Sequence, residues 1–139
     1  MVLKKLLAVA LSAFAVSVSV ADDSLDCQNA FSTPEINACA SIELDLARRE
    51  MVQYLEASLE HNAHDAELVD AIHVAQKDWE AYYTSHCDSV YTKWRGGTIR
   101  VLVTISCRTK LTKQRTHELW ENFLTYVDGP PPVLSEPKM

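Results

Sequence analysis

Two short clusters in this 139-residue chain hold the side chains that reactions use. His61-x-x-His64-Asp65 offers two imidazoles and a carboxylate, donors that a divalent metal takes. His86-Cys87-Asp88 sets a thiol between a base and an acid, the parts of a nucleophilic site. Neither goes further. The first has no third ligand nearby in sequence and lies in a polar turn, where histidines are solvated, so no metal is assigned. In the second, Cys87 belongs to a set of four with Cys27, Cys39 and Cys107. An even count in a small exported domain points to two disulfides, which leaves no thiol free to attack a substrate.

The remaining candidates are equally bland. His73 and His117 read as surface or edge residues. Glu56 with Glu60, and Glu118 with Glu121, have the spacing of solvated helix faces, and nothing places two carboxylates in one dry cleft as glycoside chemistry requires. No nucleophile elbow, phosphate loop or zinc-protease motif is present. The expectation is a protein that is not an enzyme.

Four cysteines allow three pairings. Spacings of 12 and 20 match no C-x-x-C metal knuckle, and pairing of sequence neighbours, Cys27–Cys39 and Cys87–Cys107, is the first choice among the three. Each such loop would contribute about 3 kcal/mol by restricting the unfolded chain. Binding, in place of catalysis, draws attention to Tyr91-Thr92-Lys93-Trp94-Arg95-Gly96-Gly97, a loop by its glycines. Trp94 stands there beside Arg95, and exposed aromatic and arginine side chains are favoured anchors of interfaces. The alternative is that Trp94 folds inward and plugs the base of the fold. Trp79, Tyr82 and Tyr83 fit the core, and Trp120 the core's end.

The elements that must hold these residues are helical. Glycine occurs only at 96, 97 and 129, and long stretches without Gly or Pro suit helices better than a many-turned β fold. Ser32 or Thr33 can cap a first helix, with Pro34 in its first turn and Glu35 completing a capping box. Ile36, Ala40, Leu44, Ala47, Met51, Tyr54 or Leu55, and Leu59 then form one stripe to about His61. A turn over residues 61–65 leads to a second helix, with Leu68 or Val69, Ile72, Ala75, Trp79, Tyr82 or Tyr83, and His86 on one face, ending near Cys87. Thr98 to Ile105 is rich in β-branched residues and strand-like by propensity, yet no second strand exists to pair with it. A third helix is expected from about Thr98 to Val127, through Val103, Cys107, Leu111, Gln114, Leu119, Phe123 and Tyr126. Gly129 and three prolines stop it, and residues 129–139 are expected to be a disordered, Pro-rich tail.

Residues 1–21 have the layout of a signal peptide: Lys4 and Lys5, an apolar run, then Ser19-Val20-Ala21 before Asp22. Cys27 follows a charged residue some way past that cut, which does not fit a lipoprotein site, so the product is expected to be soluble, in the periplasm or secreted. Residues 22–128 would form one domain. Without Lys4 and Lys5, 11 basic residues face 19 acidic ones, a formal charge of −8. This balance argues against nucleic acid or an anionic membrane as partner and favours cationic ones. The charge is also segregated: residues 22–88 carry 15 acids and three bases, whereas residues 93–117 carry seven bases and no acid. Either the third helix pairs its cations with acidic neighbours, or an acidic face stays open to a basic partner.

Asp26-Cys27-x-x-Ala30, Ser32-Thr33-x-Glu35-x-Asn37-x-Cys39-Ala40, Ala75-Gln76-x-x-Trp79, Cys87, Gly96-Gly97-Thr98, Cys107 and Thr112-x-x-Arg115-x-x-x-Leu119 follow one another in this order. Together they resemble the lysozyme inhibitor LprI-like domain of bacterial envelope proteins, over roughly Asp26 to Leu124. The resemblance implies an all-α fold, a small disulfide-bonded three-helix bundle, with helix over Thr98 to Ile105 and no cofactor. It also implies a protein partner such as a cationic lysozyme, whose cleft walls bear two carboxylates. A cationic plug would suit that cleft, and Arg95, flanked by Trp94 with Lys93 and Tyr91 assisting, is the expected partner-binding set. The alternative is a periplasmic structural or immunity-type module that binds another bacterial protein.

Overall fold

The computed structural model describes residues 25–139, so the expected signal segment lies outside the described residues. Three helices follow one another, α1 (Thr33–His61), α2 (Ala66–Lys93) and α3 (Arg100–Phe123), and the described residues contain no strand. The all-α, disulfide-bonded bundle is what the structure shows.

α1 starts where its cap dictates. The Ser32 hydroxyl accepts from the Glu35 N–H at 3.4 Å, and the Glu35 carboxylate accepts from the Ser32 N–H at 3.0 Å, a reciprocal box that satisfies two otherwise orphaned donors. Leu44, Ala47, Met51, Tyr54 and Ser58 form its buried line. The next turn is fixed by side chains at both ends. Asn62 donates to the carbonyls of Ser58 and Phe123, tying the end of α1 to the end of α3, and Asp65 caps α2 by accepting from the Leu68 N–H.

α2 buries Ile72, Gln76 and Cys87, with Trp79 and Tyr83 half-buried beside them. The stripe is therefore displaced from the expected one: Gln76 points inward, while Ala75, Tyr82 and His86 are exposed. The helix also runs past Cys87 to Lys93, so Tyr91 and Lys93 occupy its last turn and the loop is shorter than expected.

α3 packs against both other helices, more extensively against α1. It begins at Arg100 and ends at Phe123, inside the expected bounds. Its buried face is Thr104, Thr109, Thr112, Arg115, Thr116 and Leu119, a largely polar line in place of the apolar one expected. Each of the four threonine hydroxyls donates to the carbonyl one turn back, at 2.7–3.1 Å. Local bonding satisfies the hydroxyls and leaves their methyl groups to pack, so a β-branched, strand-like segment sits in a buried helix at little cost.

The main apolar cluster lies toward the α1–α2 turn. Met51, Tyr54, Ile72, Leu119 and Leu124 form it, with Leu55, Leu59, Leu68, Trp79, Trp120, Phe123 and Leu134 packed around. At the opposite end the α3 face is threonine, and both disulfides sit there: Cys27–Cys39 folds the N-terminal arm onto α1, and Cys87–Cys107 staples α2 to α3. Covalent links hold the end where apolar burial is thin.

Residues 129–139 follow α3. They have no regular secondary structure, as their prolines require, but they dock onto the bundle. The Val133 N–H donates to the Leu124 carbonyl at 2.9 Å, Tyr54 Oη to the Ser135 carbonyl at 2.6 Å, and Trp120 Nε1 to the Leu134 carbonyl at 3.0 Å. Leu134 packs on the core and Pro137 is buried. The polar tips of two core aromatics supply the donors that an extended segment needs.

Candidate functional site

The α2–α3 connection stands at the disulfide end. α2 ends on Trp94 as its cap, whose N–H donates to the carbonyls of Val90 and Thr92, and the Gly97 N–H then closes a tight turn on the Trp94 carbonyl at 2.8 Å. The Cys87–Cys107 bond lies just behind this turn, so the tip is carried by two helices that cannot splay.

Trp94 is 40% exposed, which decides against its plugging the base of the bundle. Tyr91 is equally exposed, and Ile99 and Val101, on the other arm, stay open at 43% and 39%. Lys93 and Arg95 point from the same tip and are exposed. The structure therefore places Tyr91, Lys93, Trp94 and Arg95 together at one exposed tip. It adds Arg100, whose guanidinium lies over the Tyr91 ring, 5.5 Å from its centroid, and donates to the Arg95 carbonyl at 3.1 Å. Arg100, Ile99 and Val101 escaped sequence reasoning because they sat in the strand-like run. The arginine flanked by two apolar β-branched residues after the double glycine was the available signal.

Among the described residues, Lys93, Arg95 and Arg100 make no ion pair. Other α3 cations do find acids: Arg108 pairs with Asp88 at 3.1 Å and Lys113 with Glu43 at 2.9 Å. Glu56, Glu60, Glu67 and Asp70, near the α1–α2 turn, have no such partner among the described residues. Both readings of the segregated charge thus hold in part, with a basic tip at one end and open acids toward the other.

The catalytic-looking clusters are committed elsewhere. His61 faces Tyr126, Nε2 to Oη at 3.2 Å, and Asp65 is a helix cap. Cys87 is bridged. Among the described residues no three metal-ligating side chains converge. Two carboxyl groups lie below their ordinary values. Glu35 does so because the Ser32 N–H, the Ser32 hydroxyl and the Phe31 N–H favour its charged form. Asp26 does so because it accepts from the Asn29 amide and then the Gln28 N–H. Both are local cap and turn contacts at the surface.

Comparison with known proteins identifies relatives of this chain. An uncharacterised protein, R02472, of Rhizobium meliloti (strain 1021) is 29% identical over 107 residues, 69% of this chain and 77% of the relative. No solved structure matches the chain. The family model of lysozyme inhibitor LprI matches residues 26–119, which include the capping box, all four cysteines, the buried Gln76 and Arg115, and the Gly96-Gly97 tip. The chain belongs to the lysozyme inhibitor LprI family.

Proposed function

We propose that this chain is an exported inhibitor of a cationic lysozyme and acts by contact, pressing the α2–α3 tip into the enzyme's cleft. The observation that carries this reading is the stapled tip itself, where Tyr91, Trp94, Lys93, Arg95 and Arg100 are presented together with no carboxylate partner among the described residues. A lysozyme cleft is lined by two carboxylates, so a guanidinium entering it meets opposite charge while an adjacent aromatic covers the entrance. Arg95 is the plug, and Trp94, Tyr91 and Lys93 surround it.

The rest of the domain serves the encounter. A formal charge of −6 on the whole chain, and −8 without Lys4 and Lys5, steers a cationic enzyme toward it, with association slowing as salt rises. Two disulfides suit an oxidising compartment outside the cytoplasm. No helix among the described residues is long and apolar enough to cross a membrane. Such a scaffold needs no reactive group, which is why the reading is inhibitor and not enzyme.

The test follows turbidity loss of a cell-wall suspension by lysozyme, with and without the purified oxidised protein. The wild type slows lysis, and Trp94→Ala combined with Arg95→Ala abolishes this while helical circular dichroism is unchanged. Full potency in the double variant would eliminate the tip as the contact.

A further inference from the structure

Residues 134–137 lie between α1 and α3, and the bundle holds each of the four by a different means. The Leu134 side chain packs on the core cluster, and its carbonyl accepts from Trp120 Nε1 at 3.0 Å. The Ser135 carbonyl accepts from Tyr54 Oη at 2.6 Å. The Glu136 carboxylate meets His117 Nε2 at 3.1 Å, and Pro137 is buried. These contacts are not a backbone ladder. Both carbonyls are taken by the polar tips of aromatic side chains, and the Val133 N–H bond to the Leu124 carbonyl comes before them. Aromatic grooves hold proline-containing segments by the same means, because the extended backbone of such segments is set before binding.

Two further observations set this strap apart from the bundle. It is joined to α3 through Gly129-Pro130-Pro131-Pro132 and lies beyond the family-matched residues 26–119. It also leaves room beside it. A cleft of about 650 Å³ stays open between Glu43, Leu46 and Gln53 of α1 and Glu136 and Lys138 of the strap. The groove is wider than the segment it holds.

From these we infer that the α1–α3 groove is a binding site for an extended peptide of the pattern leucine-x-acid-proline, filled here by the chain's own residues 134–137. The leucine takes the apolar niche, two successive carbonyls take the Trp120 and Tyr54 donors, the acid meets His117, and the proline ring is buried. The partner is a segment of another protein with this pattern, whose flanking residues enter the open cleft. A second copy of this chain is a poorer occupant, because a tethered segment competes at an effective concentration of about a millimolar. The site uses Tyr54, His117 and Trp120 and none of the tip residues, so it does not depend on lysozyme being bound at the tip.

The experiment uses the full oxidised chain carrying Leu134→Asp, which loosens the strap, and adds a synthetic peptide of residues 132–139. It reads the Trp120 indole N–H resonance alongside helical circular dichroism. The variant keeps its helices and loses the wild-type indole position, and the peptide restores that position saturably at about millimolar concentration. Pro137→Ser loosens the strap independently, and the same restoration is expected there. A peptide carrying both Leu134→Ser and Pro137→Ser restores nothing, and adding Tyr54→Phe to the protein weakens binding about fivefold. Failure of the native peptide on both variants, or equal restoration by the doubly substituted peptide, overturns the site. A wild-type dimer that the Leu134→Asp variant does not form would assign the groove to a second copy and overturn the partner peptide.

Discussion

Inside the bundle, Arg115 of α3 donates its Nε–H to the Oε1 of Gln76 of α2 at 3.1 Å, and both side chains are buried. Arg115 also pairs with Glu118, but that carboxylate is 56% exposed and solvent-screened, so the neutral Gln76 is the partner that positions the charge. Gln76 turns its amide toward Glu80 and the Met51 sulfur, completing a polar seam through all three helices. Gln76→Leu should therefore destabilise the oxidised protein by about 2–3 kcal/mol, since it leaves a buried donor on a charged group unpaired. Adding Arg115→Met should recover part of that loss, because removing both partners is less costly than removing one. Urea unfolding of the two single variants and the double variant measures the cycle.

Loss of the Cys87–Cys107 bond should act mainly on the tip. Cys87→Ser with Cys107→Ser should lower stability by about 3 kcal/mol. It should also abolish inhibition of lysozyme under conditions where circular dichroism still shows the three helices. Loss of Cys27–Cys39 by the same substitutions should cost about as much stability and leave the tip's activity in place. Urea midpoints and the turbidity assay, run in parallel, separate these effects.

The docked C-terminal segment should report on Trp120. Leu134→Ala should cost about 1–2 kcal/mol, below the range for a fully buried leucine because Leu134 is only half-buried. Cutting the chain after Asp128 removes the acceptor of the Trp120 N–H and opens that ring to water. A red shift in tryptophan emission is the expected signature, and unchanged emission would contradict the docking.

Glu35 makes the α1 cap sensitive to acid. Its folded-state value is depressed below the ordinary 4.5, so its contribution is fully present above that value and is lost as pH falls through the lower folded one. Glu35→Gln should remove this slope while the protein remains folded near neutrality. Thermal midpoints of both proteins across the acidic range test it.

Much of the architecture was legible because it depends on local physics. The capping box Ser32–Glu35 announces α1 within four residues of chain, and the apolar stripe of α1 appears in the structure nearly as spaced. The β-branched run after Gly97 is strand-like by propensity yet enters α3 as expected, since threonines can satisfy their hydroxyls along a helix as readily as on a sheet. The contacts of the tail were not legible from its prolines. They exclude regular structure, and only the positions of Tyr54 and Trp120 reveal donors waiting for its carbonyls. At the candidate site, the types of Trp94 and Arg95 drew notice, while Arg100 became visible only when α3 placed it over Tyr91.

Composition, cap signals and four cysteines determined by themselves that this is a small cross-linked helical domain with strongly segregated charge, because those features act within a few residues of one another. Which face of α2 and α3 turns inward, where the apolar core stops, and which cations remain unpaired were decided by the tertiary structure. These depend on whether a residue from a distant part of the chain arrives to share the space: Gln76 meets Arg115, and no acid among the described residues meets Arg95 or Arg100.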